Sequence, residues 1–185
     1  MKILGISGSL RKGSFNTALL HAAVALAPPG VELIAGTIHG IPLYDADVEA
    51  EGIPEKVSDL KELAAASDGL ILFTPEYNNS LPGVFKNAID WMSRPPSDIP
   101  RVFRAKPVAV LGASPGNFGT ILSQTAWLPV LRTLGANPWF GGRLMVSRAG
   151  SVFDAEGQIV DEKVKQNLAA FVEGFAAFIE STQKS

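Results

Sequence analysis

Three short runs of the chain are apolar at nearly every position: residues 3–6 (Ile-Leu-Gly-Ile), 70–73 (Leu-Ile-Leu-Phe) and 108–111 (Val-Ala-Val-Leu). A strand that alternates can leave one face in water, whereas a strand without alternation must be covered on both faces. A parallel sheet meets that condition, because its crossover helices pack on its two sides. The segments between the runs read as such helices. Residues 16–27 carry Leu19, Leu20, Ala23, Val24 and Leu26 at helical spacing and stop at Pro28, Pro29 and Gly30. Pro54 opens a second helix at the position proline tolerates, with Val57, Leu60, Leu63 and Ala64 as its buried stripe. Val84, Phe85, Ala88, Ile89 and Met92 make a third. Leu122, Ala126, Leu131 and Leu134 make a fourth that Pro129 is placed to kink, and a Phe-rich stripe from Val160 to Phe178 makes the last. With strands over 2–7, 31–35, 70–74, 108–111 and within 136–146, the expected class is α/β. The architecture is a doubly wound five-stranded parallel sheet with helices on both faces, forming one domain over residues 1–185.

Composition narrows the function. The formal net charge is -2 and the Lys and Arg residues are scattered, so no footprint for nucleic acid is visible. There is no cysteine, which removes thiolate nucleophiles, thiolate metal sites and disulfides. No apolar run reaches membrane-spanning length, and the first residues run into a strand without the pattern of a signal peptide. A cytoplasmic protein that meets neither membrane nor nucleic acid is the expectation.

Sheets of this kind bind ligands beyond the carboxyl ends of their strands, so the loops after strands one, three and four are the places to look. The first, residues 7–17, joins Gly8 and Gly13 to the donors Ser9, Ser14, Asn16 and Thr17, with Arg11 and Phe15 among them. A helix start offers unpaired N–H groups and a partial positive charge, and a guanidinium can meet two phosphate oxygens in a fork. The turn therefore suits a phosphate monoester. It is not a dinucleotide fingerprint, since G-x-G-x-x-G is absent and strand two runs out into Gly36, Thr37, Ile38 and His39 without an acid. It is not a Walker loop either: Gly8 and Gly13 have the spacing, but Ser14 stands where the lysine belongs.

The loop after strand three, residues 74–83, is fixed by Pro75 and Pro82 and carries Glu76, Tyr77 and Asn78. Tyr77 can lie along a flat ring and Asn78 can hydrogen-bond its edge. The loop after strand four, residues 113–119, brings Ser114 and two glycines, Gly116 and Gly119, where main chain can approach a ligand closely. Phosphate at one end and a flat ring at the other is the ligand that the three loops describe together.

The motifs G-S-L-R-K-G-S-F-N at 8–16, P-E-Y-N at 75–78 with the following N-S-L-P-G-V-F-K-N-A-I-D-W, and A-S-P-G at 113–116 resemble a known family. In order, and over nearly the whole chain, they are similar to the NADPH-dependent FMN reductases of flavodoxin-like fold, particularly the bacterial quinone and chromate reductase branch. The resemblance implies FMN, with its phosphate on Ser9, Arg11, Ser14 and Asn16, and Phe15 and Thr17 in the same turn. Its ring would lie against Pro75, Glu76, Tyr77, Asn78 and Ser114, with Gly116 in the third wall. NADPH or NADH would be the co-substrate. Two electrons would pass to a small-molecule acceptor: a quinone, free flavin, an azo compound or chromate. The flavin carries such chemistry, so no catalytic side chain and no metal are expected, and His21 and His39 read as structural or surface residues.

Members of the family are typically homodimers or homotetramers, which makes the third helix and the 94–107 excursion candidates for subunit contact. Asn117 and the stretch 122–129 are more apolar than the resemblance implies. The alternatives are a flavodoxin-like electron carrier and a flavin-based redox-sensing protein; carriers are usually strongly acidic to dock on basic partners, and this chain is not.

Overall fold

The computed structural model describes residues 1–184. Its strands β1 (Lys2–Ser7), β2 (Glu32–Gly36), β3 (Gly69–Phe73) and β4 (Pro107–Ala113) are all parallel, in the order β2-β1-β3-β4. The fifth position is shared by two short pieces, β5 (Asn137–Pro138) and β6 (Met145–Val146), each parallel to β4. β3 is buried along its whole length and β4 at all but one residue, as strands without alternation require. The order reverses between β1 and β3, which makes their carboxyl ends the switch point where such sheets form a crevice.

Two cores sandwich the sheet. On one face lie α1 (Phe15–Ala25) and α7 (Glu162–Gln183), joined through Leu19, Leu20, Phe171 and Phe175 to Ile3, Ile71 and Leu111. On the other lie α3 (Glu55–Ala65), α4 (Gly83–Met92) and α6 (Ile121–Thr133), with Leu60, Phe85 and Trp127 packed on Leu4, Leu70 and Leu72. Leu168, Phe171 and Phe175 of the Phe-rich stripe are core and Val164 and Phe178 pack at its edge, but Val160 lies ahead of α7 and is 56% exposed; α6 runs unbroken past Pro129.

Where the sequence predicts one fifth strand, the chain leaves the sheet between β5 and β6. At the point of departure Trp139 still donates its N–H to the Val108 carbonyl at 2.8 Å, and its indole packs edge-on to Phe171 at 5.0 Å and beside Phe175 at 5.6 Å on α7. Gly142 fits beneath it, because a Cβ there would stand 2.5 Å from the indole.

Two further helices lie in the segments read as connections. The acidic patch forms α2 (Ala46–Glu51), capped by Asp45, whose carboxylate accepts from the Asp47 N–H at 2.9 Å. Tyr44 stands edge-on to Trp91 at 5.1 Å and donates its hydroxyl to Glu49, while Arg94 bonds both of them. That clamp fixes the long connection on α4. The Tyr44 hydroxyl, then Arg94, hold the Glu49 carboxyl below its ordinary range. The 94–107 excursion contains α5 (Ile99–Val102) and is fastened to α3 by Lys61–Asp98 at 2.5 Å and Arg101–Glu62 at 2.8 Å. Among the described residues no helix is long and apolar enough to cross a membrane.

Candidate cofactor site

The three loops meet at the carboxyl ends of β1, β3 and β4. The β1–α1 turn is drawn across the end of β3 by the Gly8 N–H, which donates to the Phe73 carbonyl at 2.9 Å. A Cβ on Gly8 would stand 2.1 Å from the ring of Phe85, so only glycine lets the turn approach α4 this closely. Ser9 is buried beneath the turn, and its Oγ accepts from the Arg11 N–H at 3.3 Å. Ser14 caps α1 by accepting from the Thr17 N–H at 3.2 Å. The N–H groups of Phe15 and Asn16, first in α1, meet no acceptor among the described residues.

Arg11 extends into solvent with its guanidinium 5.2 Å from the centre of the Phe15 ring. Phe15 in turn stacks on Phe153 at 5.7 Å, so a residue near the far end of the chain supports the arginine. Arg11 takes part in none of the ion pairs formed by the described residues. A free guanidinium, a buried serine hydroxyl and an open helix start on one turn fit a phosphate group.

The other donors of the turn are engaged inside the fold. Asn16 is 3% exposed, and its side chain bonds the Ala113 carbonyl and N–H, each at 2.9 Å. Its amide is thus a tie between α1 and the end of β4, leaving its backbone N–H to face the turn. Thr17 Oγ1 lies 2.8 Å from Ser7 Oγ. His39, read as a structural or surface residue, reaches the turn: its Nε2 donates to the Leu10 carbonyl at 3.2 Å, and its Nδ1 lies 2.8 Å from the Thr37 hydroxyl oxygen.

The β3–α4 loop is a miniature hairpin. Tyr77 and Ser80 exchange backbone hydrogen bonds at 3.1 and 3.0 Å, and the two residues between them, Asn78 and Asn79, have φ of 49° and 61°. Two successive left-handed residues make a tight turn that asparagine tolerates better than most side chains. The hairpin holds Tyr77 half out of the surface, 48% exposed. Pro75 is buried at its base, and Glu76 turns to α6, where its Oε2 accepts from the N–H groups of Leu122 at 2.8 Å and Ser123 at 3.0 Å. Glu76 is the cap that α6 lacks, since Thr120 makes no capping bond of its own. Below it, Thr74 Oγ1 accepts from the Trp127 indole at 3.0 Å and lies 2.8 Å from Ser123 Oγ.

The β4–α6 loop is closed by its own bonds. Ser114 Oγ donates to the Gly119 carbonyl at 2.6 Å, and the Ser114 main chain bonds Val146 and Ala149. Gly116 stays exposed, its carbonyl accepting from the Arg148 N–H, while the Arg148 side chain donates to Asn117 Oδ1 at 3.1 Å. Phe118 at the tip is 80% exposed. The structure thus places the phosphate-type turn, the Tyr77 hairpin and this loop side by side at the carboxyl ends of the adjacent strands β1, β3 and β4. Phe153, Arg148 and the capping role of Glu76 were not legible in the sequence; Thr120, a residue type suited to capping, stands ahead of residue 121, so no local signal pointed to Glu76.

The arrangement has known counterparts. Residues 1–151 match the family model described as NADPH-dependent FMN reductase. The chain is 47% identical over 166 residues to an NAD(P)H-dependent FMN reductase of Pseudomonas aeruginosa, covering 90% of this chain and 88% of that protein. It is 38% identical over 179 residues to a 2-hydroxy-1,4-benzoquinone reductase of a Burkholderia species, covering 97% and 96%. The solved structure of FerB, a flavoenzyme NAD(P)H:(acceptor) oxidoreductase from Paracoccus denitrificans, superposes with a TM-score of 0.86 at 35% identity and 97% coverage of both chains. The chain belongs to the NADPH-dependent FMN reductase family and is an FMN-dependent NAD(P)H oxidoreductase.

Proposed function

We propose that the protein takes two electrons from NAD(P)H and delivers them to a quinone-type acceptor, with FMN seated across the three loops. Bound FMN would supply the redox chemistry, accepting hydride from the nicotinamide and passing two electrons on. The chain binds and orients. Arg11, the Ser9 and Ser14 hydroxyls and the open N–H groups of Phe15 and Asn16 hold the phosphate, with Asn16 and Thr17 fixing the turn from inside. Pro75, Glu76, Tyr77 and Asn78 form one wall for the ring; Ser114 and Gly116 form the other, kept at a set distance by the Glu76 cap. The observation that carries this reading is the Arg11 guanidinium, outside every ion pair among the described residues, on the same turn as an open helix start at the end of β1, with the aromatic hairpin following the neighbouring strand β3.

A quinone is favoured over the chromate anion because the exposed side chains of these loops and of the start of α6 include Leu10, Tyr77, Phe118 and Leu122. Leu43 is 79% exposed as well, and this many exposed apolar side chains favour burial against further copies of the chain, in a homodimer or homotetramer. The test is steady-state oxidation of NADPH and NADH by FMN-loaded protein with a benzoquinone, free FMN, an azo dye and chromate as acceptors. The benzoquinone should give the highest kcat/KM; a protein that reduces the others but not the quinone contradicts the assignment.

A further inference from the structure

The break in the fifth strand opens a second cavity that the cofactor loops do not touch. β5 pairs with Pro107 and Val108, and β6 with Gly112 and Ala113. The chain from residue 139 to 144 is three residues longer than the stretch of β4 it bypasses. Along β4 the backbone groups alternate in direction. Leu111 bonds toward β3, accepting from Thr74 at 2.8 Å, while Val108 and Gly112 bond toward the fifth strand, through Trp139 at 2.8 Å and Leu144 at 3.4 Å. Val110 has the same parity as Val108 and Gly112, so its N–H and C=O both face the break, and neither meets a partner among the described residues. Val110 is half-buried, so in the open slot its donor and acceptor are left for water or a ligand to meet.

Val110 lines a cavity of about 290 Å³. Its walls are Ile121 and Leu128 of α6 and Trp139 and Phe140 of the bypass, with Phe140 71% exposed. Arg143 lines it too, and its guanidinium approaches only the Met145 sulfur, at 4.0 Å, with no ion pair among the described residues. We propose that this slot binds a small planar ring bearing an N–H donor beside a carbonyl acceptor, together with a carboxylate that pairs with Arg143. The donor and acceptor of one strand residue lie side by side on the sheet edge, so a ring lactam can answer both as a neighbouring strand would. The volume is near the lower end for small-molecule sites, roughly 300 Å³, which limits the occupant to one ring or a fused pair. The aromatic and aliphatic walls suit its faces, and the free guanidinium selects an anion. The inference is independent of where FMN binds.

The probe is 6-hydroxynicotinate in its pyridone form, added to full-length FMN-loaded protein and followed by amide NMR at the Val110 N–H and the Trp139 indole. Both signals should shift saturably. Arg143→Gln, a change at an exposed side chain, should weaken binding about tenfold to a hundredfold, the range of one charged hydrogen bond. The N-methylated pyridone, which lacks the donor, should also bind more weakly. Signals that stay still, or affinity indifferent to both changes, overturn the proposal. So does a Val110 signal that moves with protein concentration alone, because the slot is then filled by a second copy of the chain.

Discussion

Removing the Arg11 guanidinium separates the two ends of the cofactor. The side chain forms no ion pair among the described residues and rests on Phe15 at 5.2 Å, so Arg11→Ala breaks little inside the fold. What it removes is the charged partner of the phosphate. A charge-assisted hydrogen bond contributes about 1.5–3 kcal/mol, so the Kd for FMN should rise roughly tenfold to a hundredfold or somewhat more. Riboflavin has the same ring and no phosphate, and its Kd should stay within about twofold, well under the ~1.4 kcal/mol that marks a decade. Fluorescence titration of apoprotein with each flavin reads both numbers. Phe153→Leu extends the test, since it removes the ring that Phe15 stacks on at 5.7 Å. Losing that support should cost FMN about 0.5–1.5 kcal/mol, again without effect on riboflavin. In the double variant the Phe153 effect should vanish, because the group it positions is gone. Equal losses for FMN and riboflavin in Arg11→Ala would refute the phosphate assignment; an Arg11 effect without a Phe153 effect would refute only the stacking relay.

Other perturbations read the scaffold. Glu76→Ala should destabilise the protein by about 1–2 kcal/mol in urea titrations, the worth of a helix cap, while Glu76→Gln, which keeps an acceptor, should recover more than half of that. Asn16→Ala leaves the Ala113 N–H and C=O buried without partners and should cost about 2–5 kcal/mol, seen as a lower denaturation midpoint at unchanged slope. Asp98 and Glu49 have folded pKa values below their ordinary 3.8 and 4.5, through the Lys61 hydrogen bond and the Tyr44 hydroxyl respectively. The stability they lend is therefore full above those ordinary values and is lost as pH falls through the lower folded ones; Asp98→Asn should flatten the stability curve in that acid window. Gly8→Ala should abolish tight flavin binding or folding, because the added carbon meets the Phe85 ring at 2.1 Å; near-normal binding would mean the turn has room that the structure denies it.

The sheet was readable because its determinants are local. Runs such as residues 70–73 announce burial on both faces, and prolines and glycines mark where each strand or helix stops. The three loops were readable for the same reason, since topology alone puts the ends of β1, β3 and β4 together. What the sequence could not tell is which donors are already engaged. Asn16 reads as a ligand donor, but only the fold shows that its side chain is tied to Ala113, 97 residues away, which leaves its backbone N–H as the donor facing the turn. Glu76 reads as part of a ring wall, and only the fold adds that its carboxylate also caps α6. The split of the fifth strand escaped for a related reason: the Trp139 N–H still bonds Val108 while its indole is anchored on Phe171 and Phe175 of α7, a long-range contact that local patterning does not register. Residue type states what a side chain can do, and the packing decides whether that capacity is still free.

The most direct test of the account is to mix FMN-loaded protein anaerobically with NADPH, and separately with NADH, and follow the visible flavin absorbance. Rapid bleaching to the two-electron reduced form by at least one of them, reversed on adding a benzoquinone, is the predicted result. A flavin that binds but is bleached by neither nicotinamide over minutes would contradict the assignment of the crevice as an NAD(P)H-driven site.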